Sequence, residues 1–264
     1  MVLVASPSSI NLGKVPMFGK RFLRLAAVSA AVALPLGMVA ASPASAAKAP
    51  KPTTAVVSVL HGIPGVVVDV YANETLLIDD FTPGSLKKVR VPGGTYNLEI
   101  FPADAPNSAG TAILQLTQAV ENGKNYTVAA YLMPTGATTA APAIQGFQNN
   151  IASLSKPKNS KNGEGRITVR HLAAAPPVDI LVNGNPAVGS PLANGNQLQA
   201  VLVKGTYQAA AALPGAGLAG VALGPVPLKV RQGWNTIAYA WGAPGAYQVA
   251  VQYVKLKAPK TPKK

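Results

Sequence analysis

The sequence predicts an all-β protein: two tandem immunoglobulin-like antiparallel β-sandwich domains after an N-terminal signal peptide. Three observations predict it. Landmark residues recur in the same order 110 positions apart, valine-rich runs alternate apolar with polar residues, and Gly/Pro clusters interrupt those runs. With Gly 25 and Pro 24 in 264 residues, and an apolar set dominated by Val, Ala and Leu, turns are frequent and β is favoured over α.

The repeat is anchored on a histidine-to-aspartate frame. His61, Pro64, Asp69 and Asn73 in the first copy are answered by His171, Pro176, Asp179 and Asn183 in the second. Gly94-Thr95-Tyr96 is answered by Gly205-Thr206-Tyr207, and Asn122-Gly123-Lys124-Asn125 by Gln232-Gly233-Trp234-Asn235. A period this long means a duplicated domain, because solenoid units are shorter and do not fold alone. The organisation that follows is a signal peptide at 1–46, a linker at 47–53, a first sandwich at 54–150, a linker at 151–163, a second sandwich at 164–256 and a basic tail at 257–264.

The N-terminal segment reads as an address. Lys20, Arg21 and Arg24 precede an apolar stretch from Leu25 to Ala40, and Ala44-Ser45-Ala46 supplies the small residues that a signal peptidase reads. Cleavage between Ala46 and Ala47 is expected, and Met17 is an alternative start. The apolar core is shorter than the roughly 20 residues of a spanning helix, and Pro35 and Gly37 interrupt it. Secretion through a Sec-type route is therefore expected, to the cell envelope or the extracellular space, with membrane contact only during export.

In the first repeat, Val57, Val59 and His61 share one strand face, with Ser58 and Leu60 on the other. Val89/Val91, Tyr96/Leu98/Ile100 and Tyr126/Val128/Ala130/Leu132 continue the period-two pattern of half-buried strands. Breaks at Gly62–Gly65, Pro83-Gly84, Pro92–Gly94, Asp104–Gly110 and Asn122-Gly123 have the spacing of an all-β sandwich. The second repeat follows through Ile167/Val169/His171, Ile180/Val182, Leu198–Val203, Tyr207–Leu213, Val226–Val230, Trp234–Trp241 and Tyr247–Val254. Asn183-Gly184 is a hairpin turn, both residues tolerating positive φ. Asn73-Glu74 lacks the glycine and is expected to turn differently. The Ser/Lys/Asn/Gly-rich stretch between the sandwiches reads as a hinge.

A formal charge of +14 invites a nucleic-acid partner, so the placement of that charge decides. Lys48, Lys51, Lys156, Lys158, Lys161, Lys255, Lys257, Lys260, Lys263 and Lys264 fall in flexible-looking segments, which leaves the repeats 9 basic and 9 acidic residues. Charge on tethers without interleaved aromatics is not the shaped, stacked surface that nucleic acid requires. The expected partner is an anionic cell-wall polymer or glycan, held loosely by the basic tails.

Chemistry is sparse. The absence of cysteine removes disulfides, zinc-thiolate sites and thiol catalysis together. His61/Asp69 and His171/Asp179 supply two candidate ligands per domain, short of the three or four that a metal needs. Neither a His-Glu-x-x-His motif nor a nucleophile elbow appears. Parity puts His61 on the inward face, Asp69 and Asp179 facing outward. Trp234 and Trp241, seven apart and so on opposite strand faces, are the carbohydrate-binding candidates. Ala46 and Ala47 complete the functional positions as the cleavage pair. No catalytic residue, cofactor or metal is expected. The competing reading is a metal-assisted hydrolase using the His/Asp pair of one or both repeats.

Arg166-Ile-Thr-Val-Arg-His171, Pro176-Pro-Val-Asp179-Ile-Leu-Val-Asn183-Gly184 and Gly205-Thr206-Tyr207 resemble the domain of unknown function 4397 family. The first repeat is similar through His61, Pro64, Asp69-Val-Tyr71, Asn73 and Gly94-Thr95-Tyr96, so the resemblance covers about residues 54–254. It implies a secreted or surface-exposed bacterial protein of tandem immunoglobulin-like domains, with no established activity. Gly62-Ile-Pro-Gly65 departs from the family's usual Pro-Asp-Ala-Pro after the histidine.

Overall fold

A computed structural model describes residues 51–105, 110–136, 138–154 and 163–259. The signal segment, Ala46 and Ala47, the tether lysines at 48, 156, 158 and 161, and those from 260 onward lie outside the described residues. Within them, the period-two runs become strands. Sandwich one comprises β1 (Ala55–His61), β2 (Val68–Ala72), β3 (Thr75–Phe81), β4 (Leu86–Val91), β5 (Gly94–Pro102), β6 (Leu114–Val120), β7 (Asn125–Pro134) and β8 (Ala140–Gln148). Sandwich two comprises β9 (Glu164–Ala173), β10 (Asp179–Val182), β11 (Asn185–Pro186), β12 (Gln197–Val203), β13 (Gly205–Ala212), β14 (Val221–Val230), β15 (Trp234–Gly242) and β16 (Gln248–Lys255).

Each sandwich pairs two four-stranded sheets. The sheets of sandwich one run β4-β1-β7-β8 and β3-β2-β5-β6; those of sandwich two run β12-β9-β15-β16 and β11-β10-β13-β14. Strand for strand, the order is the same. Every pairing is antiparallel except two, β1 with β7 and β9 with β15, which are parallel. The first strand of each sandwich thus inserts between the fourth and seventh, and lies at no sheet edge.

Local contacts repeat as closely as the topology. The Asn73 side-chain oxygen accepts the Asn97 amide at 2.9 Å, and that of Asn183 accepts the Gln208 amide at 2.9 Å. Tyr96 donates its hydroxyl to the Pro92 carbonyl and Tyr207 to that of Val203. The hairpin at Asn73-Glu74 does not differ from its partner: Asn73 and Glu74 have φ 48 and 64, Asn183 and Gly184 have φ 49 and 84. Positive φ at both central residues is the geometry that suits the twist of a tight hairpin. The shared tie from asparagine to the neighbouring strand holds Glu74 where a glycine would be easier.

The cores sit between the paired sheets. Val59, Val68, Val70, Ile78, Phe81 and Ile100 fill one end of sandwich one; Ile167, Val178, Ile180, Leu228 and Val230 fill the core of sandwich two. The latter is alanine-rich along β13, and the short side chains leave an apolar gap of about 40 Å³ beside Leu223 and Val226.

Half-buried strands describe the outer sheets but not the inner ones. β1, β7, β9 and β15 are buried on both faces, because the sheets that contain them pack against each other. Leu60, Ala129, Tyr131, Phe147, Leu172, Ile237 and Val254 form a third apolar layer between the sandwiches. The hinge reading fails at its start for the same reason. Arg166 donates to the Asn150 and Ala152 carbonyls, the Lys257 amide donates to the Ile151 carbonyl, and the Asn235 amide donates to that of Asn150. These bonds pin residues 150–152 along sandwich two.

Candidate functional site

The His-to-Asp frames fold into loop supports. His61 closes β1 and His171 lies two residues before the end of β9, both on inward faces and 1 % and 2 % exposed. The His61 Nε2 lies 2.9 Å from the Val66 carbonyl, and the His171 Nε2 lies 3.0 Å from that of Pro176. A carbonyl only accepts, so each Nε2 carries the proton and each Nδ1 is bare. The His61 Nδ1 accepts the Ile63 amide at 3.4 Å, whereas the His171 Nδ1 has no partner. Burial holds both imidazoles below the usual histidine range, opposed by the loop carbonyls. Both rings are therefore neutral at pH 7.

The aspartates lie on the outward faces that strand parity assigns them, opposite the core residues Val68, Val70, Val178 and Ile180, but loops cover them there. Asp69 and Asp179 are 3 % and 8 % exposed. The pairing of β2 with β5 and of β10 with β13 is regular at both positions, whereas the irregularity in β3 leaves Asp79 and Asp80 without ladder partners beside Asp69. Asp69 accepts the Asp80 amide at 3.0 Å and the Asp104 amide at 3.2 Å; Asp179 accepts the Gly215 amide at 2.8 Å. Neither carboxylate is hydrogen-bonded to its domain's histidine. Each frame clamps two loops of its own sandwich.

Sequence reasoning missed an acidic group beside the first frame. Carboxylate oxygens of Asp69, Asp79 and Asp80 lie within 4.8 Å of one another. Repulsion from Asp79, then Asp104, raises the exposed Asp80 carboxyl above the usual aspartate range. Asp79 and Asp80 stand outside the repeated frame, so only the fold brings them to Asp69.

The tryptophans serve opposite ends of the junction between sandwiches. Trp241 is 3 % exposed and crosses to sandwich one, where a Cβ added at Gly84 would sit 2.8 Å from its ring and one at Gly62 3.4 Å from its own Cβ. Its carbohydrate-binding candidacy ends there, since no ligand can reach it. Trp234 is half-buried and lines an open groove between the sandwiches.

A polar cluster holds the middle of the junction. Arg170, fully buried, donates to the Asn149 oxygen at 2.7 Å, the Gln197 oxygen at 3.0 Å and the Tyr239 hydroxyl at 3.2 Å. Its guanidinium carbon stands 4.2 Å from the Phe147 ring centre. Burial pushes this guanidinium below its usual range, with the Tyr239 hydroxyl opposing. Thr127 and Ser58 of sandwich one reach Tyr239 and Gln252 of sandwich two at 3.0 and 2.7 Å. No carboxylate takes part. A buried cation is tolerable here because each guanidinium nitrogen donates to an oxygen and the Phe147 ring lies against the guanidinium plane.

The groove lies where that junction opens. Val56, Ser58, Lys88 and Arg90 share the face that sandwich one turns to its neighbour, and β16, which ends the opposing sheet, bonds to β1 through Gln252. The groove is lined by Lys88, Arg90, Lys124, Lys255, Trp234 and Tyr253 among others, by no carboxylate, and encloses about 400 Å³. A second recess of about 420 Å³ shares Lys124 and Ile151 with it and adds Lys257. Lys255 is thus a strand residue and Lys257 is held by Ile151, so neither belongs to a loose tail. Arg231 covers one face of Tyr253 at 3.9 Å from its ring centre. Lys124 and Trp234, equivalent in the two repeats, both line the groove.

Comparison with known proteins bears on the first frame. Residues 55–181 match the family model described as Domain of unknown function (DUF4397). The DUF4397 match takes in all of sandwich one and reaches Leu181 in β10. No curated protein matches the chain. Among solved structures, the Bacillus anthracis TIE protein is similar over 71% of this chain and 33% of that one, at 12% identity and a TM-score of 0.22. The chain spans about a third of that structure's length.

Proposed function

We propose that the chain is an exported, non-enzymatic binding module of the cell envelope or extracellular space, built from two tandem DUF4397 domains docked as one body. The observation that carries this reading is the state of the repeated frame. His61, His171, Asp69 and Asp179 are buried and committed to the backbone of their own loops. A general base or a metal ligand needs a lone pair open to substrate or ion. The bare Nδ1 of His171 faces the interior, and Asp179 is bonded to Gly215.

Export rests on the signal pattern, with Ala47 as the mature N-terminus, and intact-mass analysis of secreted protein tests it. Retention at an anionic envelope polymer is the expected use of the basic tail; removing residues 258–264 then weakens retention at low salt, and unchanged fractionation refutes that use. The frame itself is tested by His171→Ala. Loss of the carbonyl bond and the ring costs about 1–3 kcal/mol, read as a lower melting temperature. A hydrolytic turnover that disappears in this variant while melting stays unchanged would make the frame catalytic.

A further inference from the structure

We propose that the groove between the sandwiches binds a linear anionic glycan, with Lys88, Arg90, Lys124 and Lys255 holding its charges and Trp234 stacking on a sugar ring. The assignment rests on the reading of the chain as a binding module and names its ligand class.

Charge is the first argument. These four cations come from β4, the turn before β7 and the end of β16, so docking of the two halves gathers them. No carboxylate lines the groove, and among the described residues none of the four makes an ion pair. Unpaired like charges in one recess repel each other, and an anion relieves that repulsion. The acidic group of Asp69, Asp79, Asp80 and Asp104 sits at the other end of sandwich one, near the close of β1, while Val56 at its start lines the groove. Sandwich one is therefore polarised along its strands, which orients an approaching polyanion toward the groove.

Shape is the second argument. Two recesses that share Lys124 and Ile151 lie side by side, each within the volume range of ligand sites. Adjoining recesses suit a chain rather than a compact metabolite. Lys257 in the further recess extends the row of cations.

The aromatic supply separates glycan from nucleic acid. Single-stranded nucleic acid is held by an aromatic platform for each of several bases. Here Arg231 already covers a face of Tyr253, which leaves Trp234 as the one half-buried platform. One stacking ring among spaced cations fits a sugar polymer with a charge on each unit.

Isothermal titration of the full chain tests this with four probes of matched length: an oligogalacturonate, a sugar-phosphate phosphodiester oligomer, a neutral cello-oligosaccharide and oligo-dT. One or both anionic glycans bind, which identifies carboxylate or phosphodiester as the source, and the neutral one does not. Lys88→Gln with Arg90→Gln weakens that binding about tenfold or more with melting unchanged. Lys255→Gln, on the other wall, repeats the loss if the double variant folds poorly. Trp234→Ala weakens it about tenfold and Trp234→Phe restores it, while Lys204→Gln, an exposed lysine absent from the groove lining, changes it less than about twofold. The assignment falls if neither anionic glycan binds, if the groove variants bind as the unaltered chain does, or if oligo-dT binds more tightly. Shortened oligomers recovered after titration would instead overturn the non-enzymatic reading and leave the groove in place.

Discussion

The two sandwiches are alike where they face themselves and different where they face each other. Strand order, the His–Asp frame, the asparagine-tied hairpin and the tyrosine hydroxyl bond are common to both. On the faces that meet, Leu60 precedes His61 in β1, whereas Arg170 precedes His171 in β9. Tyr131 of β7 answers to Trp241 of β15, and Lys124 to Trp234. One end of sandwich one gathers four aspartates; the corresponding end of sandwich two has Asp179 alone. Residues that hold a sandwich together repeat, and residues that join the pair or line its groove do not.

Breaking the junction gives the largest expected effect. Trp241→Ala empties the contact with Gly62 and Gly84 and costs about 3–5 kcal/mol, measured by urea unfolding. Tyr131→Phe at the equivalent position keeps its ring and loses only the bond to Gln145, about 1 kcal/mol. Next is Arg170→Ala, at about 2–4 kcal/mol, because Asn149, Gln197 and Tyr239 lose a donor in a dry site. Arg170→Met retains apolar volume and removes a desolvated charge, so it costs less than the alanine variant. If both cost the same, the hydrogen bonds rather than the packing dominate the cluster.

These contrasts also locate what the sequence carried. Period-two alternation in Val57–His61 and Tyr96–Ile100, and the repeated landmarks, were legible because one face of each strand meets its own core. The junction was not, since Ser58 and Leu60 look like an ordinary outer face until a second sheet covers them. Lys255 read as tail because lysine and proline follow it, yet its strand pairing with Trp234 fixes it. Parity placed Asp69 and Asp179 on the outward faces correctly; their burial was not legible, because alternation does not show that the loops at Asp80, Asp104 and Gly215 fold over those faces. Trp234 was legible as a binding candidate by residue type alone; of its cationic neighbours, Lys88, Arg90 and Lys124 come from the other sandwich, which only docking brings to it.

Acid titration sharpens the comparison at smaller cost. Both histidines have folded values depressed below the ordinary 6.5, so their neutral forms stabilise the fold above that pH. Stability is lost as pH falls from 6.5 through the folded values. His61→Gln and His171→Gln should each flatten that loss in denaturant titrations. The smallest expected effect belongs to sandwich one alone. Because the Asp80 carboxyl is raised, its contribution is full below the ordinary 3.8 and lost as pH rises through the folded value. Asp80→Asn should raise the melting temperature slightly at pH 7 and leave it unchanged at pH 3.

Docking of the two sandwiches into one body underlies both the buried cluster and the groove, and differential scanning calorimetry of the full chain tests it most directly. A single endotherm with equal calorimetric and van't Hoff enthalpies is expected, separating into two in Trp241→Ala. Two resolved endotherms in the unaltered chain, unmoved by Trp241→Ala and Arg170→Ala, would contradict it.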